Sequence, residues 1–472
     1  MKKRFCALSI TMIMTACSLT ACTGKNNGAS GSGEPVATAP ATENAQTSEA
    51  VEEPVITSVD APITEGWDES RKIFIYSWND DLKVRLDMVL AKYPQYRDYC
   101  EYIDLNMSGT DEDYVKAIEE AMKNSDKYPS IIPSDDALTA SFTESGEVLS
   151  MDELGITADM YSSAYRYTVE RASYNGNLMA LTWQATPGCF VYRTDIAELV
   201  LGSSDPQTVQ EAVNDWDAFF ATADRIKASG YKMLSGPDDI SYAALDQQTD
   251  PWITVSADGT ELLSLDDSIS SYFENSKRLY DGGYTDRTVM GDSGWSANFE
   301  DDVFGYFGYP EFVYNSIATT EDSEKSTFGK WSICRGPVSF HKGGTYLCVG
   351  RETSNPALCR FLLYELCCDK DMMYEISAKT SDFVNNSEAM EQILADGAGK
   401  APVLGECDPV EIWLAAAPEI SLDNGSYLDD SLKEIAIRTA AEYNSGGFKS
   451  VEDAVEHVKE EAGKTHPQIM VD

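Results

Sequence analysis

The chain has 472 residues, 79 acidic against 36 basic side chains, and a formal net charge of −43. That length is enough for two or three domains and a large core. So acidic a composition argues against binding nucleic acid or anionic lipid headgroups. Colloidal solubility is the plain reading of the charge, and a cationic ligand such as a polyamine the sharper one.

At the N-terminus, Lys2, Lys3 and Arg4 precede an apolar run from Phe5 to Ala16, and Leu19-Thr20-Ala21-Cys22 follows as a lipoprotein cleavage box. The run is too short to span a bilayer and reads as a secretory signal. The pattern predicts that residues 1–21 are removed, that Cys22 carries lipid, and that the protein works outside the cytoplasm. Met14-Thr15-Ala16-Cys17 is a weaker alternative box. Three positive charges leave with the signal, taking −43 to −46. Residues 22–66 are mostly Ala, Thr, Ser, Gly, Pro and Glu, with no aromatic before Trp67. Such a segment buries too little apolar surface to order itself and reads as a disordered tether, spanning roughly 35–40 Å. That suits a Gram-positive-like envelope, and no later stretch has the length of a membrane span.

Residues 71–78 read as a buried strand. A helix follows in which Leu82, Leu86, Val89, Leu90 and Tyr93 share a face and Pro94 is the stop. A second strand covers 101–105. Thr110 and Asp113 form a capping box ahead of Tyr114, Ile118 and Met122. A third strand, 130–132, runs to Asp135 and Asp136. This alternation indicates a doubly wound parallel sheet, in which ligands sit beyond the carboxyl ends of the strands. Here those ends are Trp78-Asn79 and Asp135-Asp136. Asn175-Gly176 marks a hairpin. A helix from Asp215 turns Trp216, Phe219, Phe220, Ala223 and Ile226 inward and ends at Gly230. Further helical patterns cover 267–280, 356–368, 429–443 and 451–462, the last capped by Ser450.

Cys6 and Cys17 leave with the signal. The other eight cysteines of the body form no C-x-x-C pair and read as buried thiols, with one or two disulfides left open. Only three histidines occur (His341, His457, His466), and metal-ligand spacing is absent. No cofactor is expected. Gly291-Asp292-Ser293-Gly294 matches a serine-protease string, but all three histidines follow it, reversing that family's order. Trp78, Trp183, Trp252, Trp295, Trp331 and Trp413 each lie near Gly, Pro, Asn or Asp. An indole offers a flat apolar face and one N–H donor, which with Asp, Asn or Glu matches a sugar's C–H face and hydroxyls. Ordinary core packing competes with that reading for each, and holds more strongly for Trp413 and for Trp216. His341-Lys342-Gly343-Gly344-Thr345 precedes a strand, and its glycines permit close backbone approach to a ligand or form a plain turn.

Several pieces occur in an order that resembles the extracellular solute-binding proteins of ABC importers, in the maltose-binding-protein-like sugar group. They include 76–79, 131–136, 174–183, 191–195, 214–219, 303–308, 329–331, 335–337, 343–345 and 381–386. The resemblance implies a two-lobe periplasmic-binding-protein-like α/β fold, each lobe a doubly wound sheet with flanking helices, joined by a hinge. The expected division is 67–184 with 335–384 for lobe 1, and 185–334 with 385–472 for lobe 2. Crossings are expected near 183–188, 331–337 and 382–386. The resemblance further implies a non-enzymatic, monomeric receptor that captures a carbohydrate and delivers it to an ABC permease. Trp78, Trp183 and Trp295 would stack on sugar rings; Asn79, Asp135, Asp136 and Glu311 would bind hydroxyls; Gly343, Gly344 and Thr345 would present backbone groups; Trp252, Tyr309 and Trp331 are secondary candidates. Two departures stand out: His341-Lys342 replaces an aromatic before Gly-Gly-Thr, and Gly405-Glu406-Cys407-Asp408 replaces Gly-Gln-Asn. A polyamine or other cation on the same fold, and a surface glycoside hydrolase, are the competing readings.

Overall fold

A computed structural model describes residues 66–472, apart from 111, 125 and 472. Cys22 and the spacer through residue 65 lie outside the described residues. The first sheet is built from β1 (Ile73–Ser77), β2 (Cys100–Asp104) and β3 (Pro129–Asp135), with β2 and β3 both parallel to β1. Lying between two neighbours, β1 leaves Ile73 and Ile75 no exposed surface. The intervening helices Asp81–Lys92 and Glu112–Asn124 cover the sheet with Leu86, Val89, Tyr114 and Ile118, as the 3.6-residue spacing predicts.

After the hairpin of β4 (Ser173–Tyr174) and β5 (Asn177–Leu178) comes β6 (Leu181–Thr182). Asn175 and Gly176 both take positive φ in that turn (50° and 78°), as a two-residue hairpin loop requires. The second sheet centres on β7 (Cys189–Arg193). A three-stranded side sheet begins with β8 (Ile253–Val255) and β9 (Glu261–Leu263), and β10 (Gly305–Gly308) and β11 (Trp331–Cys334) flank β7, both antiparallel to it. The chain then returns: β12 (Thr345–Val349) enters the first sheet between β3 and β6, giving the order β2-β1-β3-β12-β6. At the C-terminus, β13 (Met470–Val471) adds to β9.

Alternation along β7 shows how the second sheet is covered on both faces. Cys189 and Val191 join one core with Tyr306, Trp331, Ile333 and Trp413. Phe190 and Tyr192 join the other with Phe304, Phe307 and Cys334. The helix Trp216–Ala228 supplies Phe219, Phe220, Ala223 and Ile226 to that second core, and the Asp215 carboxylate caps it by accepting the Ala218 N–H at 2.7 Å. Ser450 likewise caps the helix Val451–Thr465. In that helix Ala454, Val458 and Ala462 are buried, while Val451 and Val455 of the expected stripe are half-buried.

Three segments run side by side between the sheets. Residues 183–188 form the middle one. The Ala185 N–H donates to Phe383 C=O (2.8 Å) and the Asn385 N–H to Trp183 C=O (2.9 Å) on one side. On the other, Gly188 N–H donates to Phe340 C=O (2.7 Å) and Lys342 N–H to Thr186 C=O (3.2 Å). The return segment therefore pairs around 340–342 rather than 331–337, because Trp331–Cys334 is committed to β11. All eight described cysteines are free thiols. Burial pushes Cys189 and Cys348 up to about 12, so both remain protonated and unreactive.

Trp331 has no exposed surface, and its indole N–H donates to Thr327 Oγ1 at 3.0 Å. Trp331→Ala is expected to cost about 3–5 kcal/mol, read as a lowered midpoint in urea unfolding. A loss under about 1 kcal/mol would place the indole outside the core.

Candidate ligand site at the strand ends

The carboxyl end of β3 carries Asp135 and Asp136, and the sheet register sets Asp135 opposite Thr345. The Asp136 N–H donates to Gly344 C=O at 3.0 Å, and Thr186 Oγ1 donates to Gly343 C=O at 2.8 Å. Gly343 and Gly344 have φ of +68° and +127°, open to residues without a Cβ. Their carbonyls thus serve the fold itself. Thr345 is buried as the first residue of β12. The Asp135 carboxylate accepts Ala137 N–H at 3.1 Å. Burial, aided by the charge of Asp136, pushes Asp135 up to about 7.

Asp136 anchors a buried chain of charges. Arg171, on the helix Arg166–Arg171, donates from Nε to Asp136 Oδ1 at 3.0 Å and from Nη2 to Asp136 C=O at 2.7 Å; it also pairs with Asp430. His341 Nε2 lies 3.5 Å from Asp136 Oδ2, and His341 Nδ1 lies 2.8 Å from Asp246 Oδ2. Lys433 Nζ reaches the other Asp246 oxygen at 2.5 Å. Asp246 ends the helix Ser241–Leu245, and Lys433 lies on the helix Asp429–Asn444. Three cations therefore face three carboxylates. Their carriers come from both sheets' surroundings and from the return segment.

The electrostatics follow from that pairing. Burial alone would raise Asp136, but Arg171 and His341 outweigh it and hold the carboxyl below its ordinary value. Burial opposes charging of His341, yet Asp246 and Asp136 prevail and lift it to about 9. Burial would likewise raise Asp246, and Lys433 with His341 keeps it well below the carboxylate range.

Beside this chain lies an aromatic group. Lys342 Nζ sits 4.3 Å from the ring centroid of Tyr242 and 5.2 Å from that of Tyr309, with Met290 Sδ at 3.2 Å. Burial lowers Lys342 to about 8, against the pull of Asp239, Glu311 and Asp238. The Trp295 indole N–H donates to Asp239 Oδ1 at 2.6 Å, and the Ser235 and Gly236 N–H groups donate to Asp239 Oδ2. Neither the Tyr242 nor the Tyr309 hydroxyl has a hydrogen-bond partner among the described residues. Both tyrosines feel the charge of Asp135, which places that carboxylate in their neighbourhood.

Of the residues expected at the site, Asp135, Asp136, Gly343, Gly344 and Thr345 come together at the β3–β12 end. Trp295, Tyr309 and Glu311 gather near Lys342. Trp78, half-buried, lies edge-to-face with Tyr114 at 5.4 Å and packs on Gly109, where a Cβ would fall 2.5 Å from the indole. Asn79 is exposed and its Oδ1 accepts the Asp81 N–H at the start of a helix. Trp183, Trp252 and Trp331 are corrected to core residues: none has exposed surface for a sugar ring. Trp252 also commits its N–H to Asp266 Oδ1 at 3.0 Å. Arg171, Tyr242, Asp246 and Lys433 carried no local signal, because in so acidic a chain an Asp or a Tyr marks nothing by itself. Lys342 was visible as part of the run before Gly343-Gly344-Thr345 and as a departure from an aromatic there.

Among the described residues no group of three or more His, Cys, Asp or Glu side chains is arranged to hold a metal ion, and no helix is long and apolar enough to cross a membrane. A separate concavity of about 250 Å³ is lined by Gln210, Arg335, Gly336 and Glu419 among others. In it the Gln210 amide clamps Gly336 N–H and C=O at 2.9 Å each, and Arg335 pairs with Glu419.

No protein-family model matches the chain, and no curated protein matches it. Among solved structures it is similar to an extracellular solute-binding protein of family 1, with a TM-score of 0.70 and 16% identity over 84% of this chain and 99% of that one. It is also similar to an ABC-transporter-associated binding protein from Bifidobacterium animalis subsp. lactis, solved with beta-1,6-galactobiose (TM-score 0.60, 17% identity, 85% and 99% covered). The sugar-binding protein MalE from Xanthomonas citri gives 0.62 at 12% identity, with 83% and 96% covered. The chain thus has the two-lobe α/β fold of these solute-binding proteins.

His341 binds its proton more tightly in the folded protein than at its ordinary value of 6.5. Its stabilising contribution is therefore full below about pH 6.5 and is lost as pH rises through about 9. Unfolding free energy of the wild type is expected to fall across that window. His341→Asn is destabilised at pH 6 and falls less steeply. Parallel profiles for the two proteins would show an uncharged imidazole.

Proposed function

We propose that this chain is a solute-binding protein that captures a carbohydrate between its two lobes and delivers it to an ABC permease. The observation that carries this reading is the convergence of Asp135, Tyr242, Tyr309 and Lys342 between the lobes. Their hydrogen-bonding capacity is unused or only weakly used by the protein itself. A polyol supplies the matching donors and acceptors, and the faces of Tyr242, Tyr309 and the partly buried Trp295 supply apolar area. The beta-1,6-galactobiose and lacto-N-biose bound by two of the similar structures are ligands of those proteins and support the same ligand class here. We assign 67–184 and 335–384 to lobe 1, and 185–334 and 385–472 to lobe 2, a division supported by sheet membership. Lipid on Cys22 holds the body at the outer face of the membrane.

A hydrolase would need a free acid–base pair of carboxylates. Of the carboxylates near the site, Asp136 is engaged by Arg171 and His341, Asp246 by His341 and Lys433, and Asp239 by Trp295, which leaves Asp135 and Glu311 outside such pairs. The similar solved structures are binding proteins, which favours capture over hydrolysis. For a cationic ligand, the position between the two tyrosine faces already holds the Lys342 ammonium.

A thermal-shift screen with mono-, di- and oligosaccharides tests the proposal. A ligand at about 100 times its Kd adds about 2.7 kcal/mol of stability. With a saccharide found, Tyr309→Ala and Trp295→Ala are each expected to weaken binding at least about tenfold, or 1.4 kcal/mol. Unchanged affinity in both would sink the assigned contacts, and silence across the saccharides would sink the carbohydrate reading. In cell fractionation, Cys22→Ala is expected to move the protein from the membrane to the soluble fraction.

A further inference from the structure

Lys342 stands in surroundings of a kind that recognises organic cations. Its ammonium is bracketed by the faces of Tyr242 and Tyr309, 4.3 and 5.2 Å from their centroids. Aromatic faces around a desolvated cation are the arrangement by which proteins bind ammonium groups. Asp238, Asp239 and Glu311 are near enough to favour positive charge there. Arg171, His341 and Lys433, a few residues away, are each neutralised by direct carboxylate contact. Lys342 differs: among the described residues its hydrogen-bonding contact is the weakly accepting Met290 sulfur. The Lys342 backbone is fixed by its N–H, which donates to Thr186 C=O of the middle segment.

We infer that Lys342 is a specificity residue, filling from within a box that would otherwise take an organic ammonium ion and so reserving the site for an uncharged, hydroxyl-rich ligand. The ligand half of this statement rests on the carbohydrate reading; the box does not. A cation approaching the wild-type site meets like charge where it would have to sit. An uncharged saccharide meets the remaining Lys342 N–H donors and the two free phenol hydroxyls. Removing the lysine leaves two aromatic faces and three nearby carboxyl groups with no resident charge, which is a cation site.

The experiment uses the whole protein and tetramethylammonium chloride, a permanent cation, followed by calorimetry at low and moderate salt. Lys342→Ala is expected to bind it at least about tenfold more tightly than the wild type, with the gain eroded by salt. Lys342→Gln keeps most of the side-chain bulk while dropping the charge. It is expected to show the same gain in smaller measure, and it serves should the alanine variant fail to fold. If neither folded variant gains over the wild type, or if the wild type binds tetramethylammonium as tightly as they do, the inference is overturned. The saccharide screen is read separately: a sugar hit without the ammonium gain overturns the inference and leaves carbohydrate capture standing. An ammonium gain with no sugar hit keeps the box and overturns the carbohydrate reading.

Discussion

A carboxylate at the end of a buried strand stays ionised only if partners come to it, and Asp136 draws on two. Arg171 approaches from a helix of the first sheet's surroundings, and His341 from the segment returning to that sheet. His341 then hands the problem to Asp246, and Asp246 to Lys433. Each group is charged because the next one is. Such a chain is a poor source of net stability, since desolvation offsets much of the attraction. Its effect is directional. Apolar surfaces tolerate sliding, whereas this succession of forked and ring contacts specifies which helix ends face the end of β3.

The same chain divides labour among similar residues. Asp136 and Asp246 are held by cations and serve the frame. Asp135, next to Asp136 in sequence, points into a neighbourhood of tyrosines and keeps a raised affinity for its proton. Two adjacent aspartates thus differ in protonation through surroundings alone. His341 and Lys342 are divided in the same way, the first saturated by carboxylates, the second left between aromatic faces.

Much of the frame was legible because period and punctuation are local. The β-α-β-α-β opening, the Asn175-Gly176 turn, the helix start at Asp215 and the Ser450 cap each reside within a few residues of sequence. The site was legible only where topology is general, at the ends of β1 and β3. Tryptophans were misjudged for one physical reason: flanking Gly, Pro and Asp describe the local backbone, while burial is decided by distant segments. Trp331 is covered by Tyr306 from β10, and Trp252 is satisfied by Asp266 across the β8–β9 hairpin. The charge chain was illegible for the same reason, since residues 136, 246, 341 and 433 belong to four separate elements of a chain crowded with acids.

The place of β12 has a consequence for how the molecule is made. The first sheet holds a strand that the ribosome delivers only after every strand of the second sheet has emerged. Until then β3 presents an unpaired edge along its full length, the kind of edge that invites association with other chains. The region 189–334, by contrast, has all three strands of its sheet once β11 is complete. Order of synthesis therefore completes the strands of the second sheet before those of the first, with the long-range β3–β12 pairing as the slow, exposed step. A net charge far below zero keeps unfinished molecules apart during that step.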